Sequence, residues 1–227
     1  MNSAFLDFQT RSKEVEDYFQ FVLRLEKAEV ALESRSVTQA TYTTHEHEEL
    51  LKTFKATCYL LLYNLVESTM RNAIEAIFEE LRTKQAGFDD CRDELKREIL
   101  NNFKKRDMEN LLPKLLALAR DVVFETFELK TVFSGNLDAK TIKKTAQRFG
   151  FAEPAGNKFW MLQTVKDVRN DLAHGVKSFA DVGRNASPSD LEEARVQTVA
   201  ILSETLKNIS SYLANQEYLT PPVVQTV

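Results

Sequence analysis

Arg169-Asn170-Asp171-Leu172-Ala173-His174-Gly175 is the stretch from which the rest of the chain is read. Just upstream, Met161, Val165, Val168 and Leu172 recur at spacings of three and four, the period of a helix with one apolar face. At about 100° per residue, Arg169 falls on the border of that apolar stripe. Asn170 and His174 are four apart and neighbour each other on the wetter flank. Arg169 and His174 lie about 140° apart around the axis, so one straight helix does not aim them at one point. Gly175 marks a helix stop, because glycine takes the left-handed conformation that follows a last turn. An imidazole at such an end is suited to give or take a proton near neutrality. An arginine beside it offers a fixed, charged fork that matches a phosphate. The same residues also admit a plainer role, a capping histidine and a solvated arginine.

Arg169-Asn170-Asp171-Leu172-Ala173-His174 resembles the arginine–four residues–histidine motif of the HEPN superfamily (higher eukaryotes and prokaryotes nucleotide-binding domains). Three further pieces resemble its MAE-type branch, in the same order along the chain. They are Tyr63-Asn64-Leu65-Val66-Glu67-Ser68; then Ser134-Gly135-Asn136-Leu137-Asp138 with Ile142 and Phe149-Gly150-Phe151; then His174-Gly175 followed by Ser178-Phe179. The resemblance runs from about residue 50 to about residue 213. It implies an all-α fold, an up-and-down helical bundle of HEPN type with additional flanking helices. It also implies a metal-independent endoribonuclease without a cofactor, commonly a homodimer with the motifs near a shared cleft. Relatives act as toxins or as anti-phage or restriction-associated effectors, many silenced by an antitoxin or another partner protein. Some are silenced by modification of a tyrosine two residues past the histidine; Val176 stands there in this chain, so that control is not expected. The superfamily also contains non-catalytic modules that bind a nucleotide or a partner protein, and this is the alternative function.

The chemistry that this resemblance implies is consistent with the residues. RNA cleavage without a metal requires a base for the 2′-hydroxyl, an acid for the leaving 5′-oxygen and positive charge at phosphorus. His174 is assigned to proton transfer, Arg169 to the charge on the phosphate, and Asn170 to orienting His174 or holding substrate. One histidine does not readily act as acid and base together, and a second copy from a partner subunit would supply the other. Asp171 is a supporting residue. So are Asn64 and Glu67, three apart in an otherwise apolar helix, which would steady Arg169 or the helix that bears it. A buried carboxylate there needs a positive or hydrogen-bonding neighbour. The plainer alternative is that both face solvent at a bundle edge.

Composition agrees with a globular helical chain. At 227 residues it is long enough for one sizeable domain: residues 1–45 an N-terminal helix and loop, 46–215 the core, 216–227 a flexible tail. Six glycines and five prolines leave few breaks and favour long helices. Cys58 and Cys91 fit no metal or disulfide framework, and Cys58 in its apolar run reads as core. A reducing cytoplasm is the default compartment. No secretory leader is visible, and the apolar run at residues 58–66 is too short to span a bilayer. The net charge of −4 argues against broad nonspecific nucleic-acid binding while allowing a local basic cleft. Such a region runs from Lys140 through Lys143, Lys144 and Arg148 to Lys158 and Lys166; Lys143, Lys144 and Lys166 are its candidate RNA contacts. A solvated helix face is the competing reading.

Along the chain, helices are expected over residues 3 to about 32, 44–83, 89–105 and 108–127, the last started or kinked at Pro113. Residues 34–44 read as a loop. Asp138 should cap a short helix ending near residue 148, and Asn157 the site helix. Residues 176–186 read as a connection, and Ser187-Pro188-Ser189-Asp190 as the start of the last helix. The pair His45 and His47, two apart at a helix entry, points in different directions and completes no ligand set.

Overall fold

A computed structural model describes residues 1–30, 44–104, 137–155 and 159–221, the side chains of residues 44, 45, 103 and 104 excepted. The architecture is all-α. Among the described residues there are seven α-helices: α1 (Asn2–Glu26), α2 (Thr44–Lys84), α3 (Asp93–Lys104), α4 (Ala139–Phe149), α5 (Trp160–Ala173), α6 (Phe179–Asn185) and α7 (Pro188–Ala214). A single 3-10 turn, Phe88–Asp90, precedes α3. The expected loop at residues 34–43, the segment at 108–127 with Pro113, the Ser134-Gly135-Asn136 turn, Asn157 and Lys158 lie outside the described residues.

The chain forms two compact units. The one that carries the motif comprises Leu6–Glu67 and Asn157–Ala200. In it α1 buries Phe8, Val15, Phe19 and Val22 at helical spacing, and the first part of α2 buries Ala56, Cys58, Leu62, Tyr63, Leu65 and Val66. Each large apolar side chain removed from water this way contributes about 2 kcal/mol. Phe21 meets Phe54 with the rings tilted by 60° and their centroids 6.2 Å apart, and the Tyr18 hydroxyl donates to the Phe54 carbonyl. Lys55, nearly buried, is paired with Glu26 at 2.8 Å. Burial pushes the Cys58 thiol up to about 12, so it behaves as a small core residue.

The second unit comprises Met1–Phe5, Ser68–Gly156 and Ile201–Val227. Its core draws on Met70, Ile74, Ile77 and Leu81 of α2, Leu95 and Ile99 of α3, Ile142 and Phe149 of α4, and Leu206 and Ile209 of α7. Asp138 caps α4 by accepting the Thr141 N–H at 2.7 Å, as the sequence leads one to expect. The buried Tyr212 hydroxyl donates to the Phe149 carbonyl at 2.7 Å. Burial pushes the Cys91 thiol up to about 11.

Three boundaries differ from expectation. Helix α1 stops at Glu26, not near residue 32, because Ala28 turns left-handed at φ 57° and the Glu29 N–H closes on the Arg24 carbonyl. Residues 176–186 are not all connection. Ser178 accepts the Asp181 N–H and starts α6. Gly183 of that helix sits so close to α2 that an added Cβ would lie 2.0 Å from the Lys52 carbonyl oxygen. The tail from Gln216 is held through Thr220: Tyr218 is fully buried, Leu219 pairs with Cys91 in an isolated β-bridge, and the Thr220 N–H bonds to the Asp90 carbonyl. Among the described residues no helix is long and apolar enough to cross a membrane.

Candidate functional site

The site is the C-terminal end of α5. Met161, Leu162, Val165 and Leu172 are buried and fix the rotation of this helix. Arg169 is thereby set at the edge of the apolar face, half-buried, as its place on the border of the apolar stripe suggests. The end itself is a complete glycine stop. His174 is the cap residue, and Gly175 is left-handed at φ 67°. The Gly175 N–H bonds to the Leu172 carbonyl at 3.3 Å and the Val176 N–H to the Asp171 carbonyl at 2.8 Å, which is the Schellman arrangement. Nothing lies within 4 Å of a Cβ built on Gly175, so a substitution there meets conformational strain alone. Gly175→Ala is expected to lower stability by about 1 kcal/mol in urea unfolding, the cost of one L-residue in the left-handed region.

Within this frame the guanidinium of Arg169 is held twice. Its Cζ lies 4.0 Å from the centroid of the Tyr63 ring on α2, a stacking distance. Its Nη1 donates to the Asn170 side-chain oxygen at 2.8 Å. Tyr63 is completely buried, so the guanidinium lies against a ring that is itself fixed in the core. Asp171 bonds elsewhere: its carboxylate pairs with Lys177 at 2.7 Å and braces the turn after the helix. His174 is exposed, and among the described residues its imidazole has no hydrogen-bond partner.

The structure thus brings Arg169 and Asn170 together, with the Asn170 oxygen turned to the arginine. Asn64 is exposed and Glu67 half-buried on α2. Tyr63 is the contact that sequence reasoning missed. It stands first in the very motif quoted for α2, but a tyrosine in an apolar run reads as core, and only the packing of α5 shows what its ring meets. Lys166, half-buried, lies 3.7 Å from Asp167. Lys143 and Lys144 are on α4 in the other unit, half-buried and exposed respectively. Arg148 of that helix is tied to Glu98 and adds little to its positive face. Among the described residues no group of three or more His, Cys, Asp or Glu is arranged to hold a metal ion.

A family model described as MAE_28990-like HEPN matches residues 2–218, nearly the whole chain. No curated protein and no solved structure matches it.

Proposed function

The chain belongs to the MAE_28990-like HEPN family, and from that premise we propose that it is a metal-independent endoribonuclease, acting as a toxin or as an anti-phage or restriction-associated effector. The observation that carries this reading is the fixed Arg169 guanidinium, stacked on Tyr63 and tied to Asn170, one turn before an exposed histidine. A held cation and a solvent-facing imidazole at one helix end supply two of the three groups that phosphodiester transfer requires.

In the proposed reaction a base takes the proton of the 2′-hydroxyl, and the freed oxygen attacks the adjacent phosphorus. The bond to the 5′-oxygen breaks, and an acid protonates that oxygen. The products are a 2′,3′-cyclic phosphate and a free 5′-hydroxyl. Arg169 meets the charge that builds on the non-bridging oxygens, and His174 moves a proton. Asn170 holds Arg169 in place, which refines the role expected for it. One imidazole supplies one end of the proton transfer. A homodimer that presents a second His174 would supply the other, and would also remove the demand that Arg169 and His174 of one helix converge. Lys166, Lys143 and Lys144 are proposed contacts to the RNA backbone, and Asn64 and Glu67 a polar support on α2.

The direct test incubates purified protein with total RNA in EDTA. The parent protein is expected to cut it, and Arg169→Ala to cut at least about 100-fold more slowly, the usual cost of one donor aimed at developing phosphate charge. RNA left intact by the folded parent protein would overturn the reading and favour a non-catalytic binding module.

A further inference from the structure

We propose that Tyr63 is the positioning residue for Arg169: its buried ring is a platform that holds the guanidinium in place and leaves its remaining N–H donors to address a phosphate. This rests on the ribonuclease reading for its catalytic consequence, but the placement itself is independent of it.

An arginine side chain has four rotatable bonds, and an exposed one samples many positions. Arg169 is anchored on a helix whose apolar face is buried, which fixes only its Cα and Cβ. The rest must be fixed by contacts, and two are present, one to a ring and one to an amide oxygen. The Tyr63 ring, 4.0 Å from Cζ, restrains the guanidinium plane. The hydrogen bond from Nη1 to Asn170, 2.8 Å long, restrains rotation within that plane. Together they leave the other N–H donors, on Nε, Nη2 and the second of Nη1, with no acceptor among the described residues.

Three further facts bear on this. Tyr63 has no exposed surface, so its ring cannot swing to follow the arginine. The face of an aromatic ring attracts a cation without accepting its in-plane N–H groups, so the platform holds Arg169 without using the donors a phosphate needs. A carboxylate in the same place would hold the arginine more tightly but would occupy its fork and cancel its charge. An aromatic ring therefore suits a cation that must stay available. Lysine at position 169 would not be held in the same manner, since an ammonium has no plane to stack.

The test combines a spectroscopic readout with kinetics. A proton above an aromatic ring is shifted upfield, so the Arg169 Nε–Hε resonance, identified by its loss in Arg169→Ala, should lie upfield of ordinary arginines in the parent protein. Tyr63→Phe should keep that shift, and Tyr63→Leu should lose it. In RNA cleavage, with rates normalised to the folded fraction, Tyr63→Leu should lower kcat at least tenfold with KM changed less than threefold. Tyr63→Phe should bring kcat back to within threefold of the parent. Should Tyr63→Leu not fold, the spectra of the parent and of Tyr63→Phe still decide. An Arg169 resonance at the ordinary position in the parent overturns the platform, as does a folded Tyr63→Leu with parental kcat. A parent protein that shows the shift but leaves RNA intact upholds the platform and overturns the ribonuclease reading instead.

Discussion

His174→Ala is expected to slow RNA cleavage about a thousandfold, the usual weight of a positioned proton donor or acceptor, while leaving the melting temperature within about a degree of the parent. Both halves of that result follow from the helix end. The stop at α5 is made by backbone groups: the His174 N–H bonds to the Asn170 carbonyl at 3.0 Å, and Gly175 and Val176 close the rest. The imidazole takes no part in it. It is exposed and without a hydrogen-bond partner among the described residues, so its removal leaves no cavity and no orphaned polar group. A histidine kept only to terminate a helix would show the reverse, a lower melting temperature with cleavage unchanged. The same variant should relieve growth inhibition when the protein is expressed in cells. If the parent protein inhibits growth and His174→Ala inhibits it equally, the proton-transfer role is wrong.

That the candidate site lies at a helix end is legible because glycine advertises it. Gly175 in a helical period has few meanings other than a left-handed stop, and the structure has it at φ 67°. The other long helices end without such a sign. Ala28, Gln85 and Gln216 take the left-handed conformation after α1, α2 and α7, at φ 57°, 52° and 54°. An L-residue there costs about 1 kcal/mol, and the surrounding contacts must supply it. Nothing in the sequence marks that exchange, and for this reason α1 was expected to run on past Glu26. Helix α6 is a different case. Ser178 and Asp181 stand three apart, the spacing of a capping box, and the hydroxyl accepts the Asp181 N–H at 3.1 Å. The signal was present, but seven residues with one glycine carry too short a period to be read as a helix.

Contacts between distant segments were hidden for a stronger reason. Periodicity gives the face of a helix, not its neighbour. It placed Arg169 at the edge of an apolar stripe, and the structure agrees, but it could not say that Tyr63 lies beneath the guanidinium. In the same way the looseness expected of the chain from Gln216, with Pro221-Pro222, does not extend to residues 218–220. They are held by partners far away in sequence: the Arg92 N–H bonds to the Tyr218 carbonyl, and the Thr220 N–H to the Asp90 carbonyl, both at 2.8 Å.

The ion pair in the second unit is expected to give the largest loss of stability. Glu98 of α3 has only 3% of its side chain exposed, and Arg148 of α4 meets it with two parallel N–H bonds, one of them 2.6 Å long. Read from sequence, Arg148 belonged to a basic face. In the structure its charge is committed to neutralising a carboxylate that water barely reaches. Arg148→Ala leaves that carboxylate buried without its partner, which should cost about 3 kcal/mol or more in urea unfolding. Removing both charges is a different experiment, because the cost of desolvating them disappears together with their attraction. Arg148→Met combined with Glu98→Leu should therefore recover most of the loss and come within about 1 kcal/mol of the parent. If Arg148→Ala alone stays that close to the parent, water reaches the carboxylate, and the fork between α3 and α4 does not hold the two helices together.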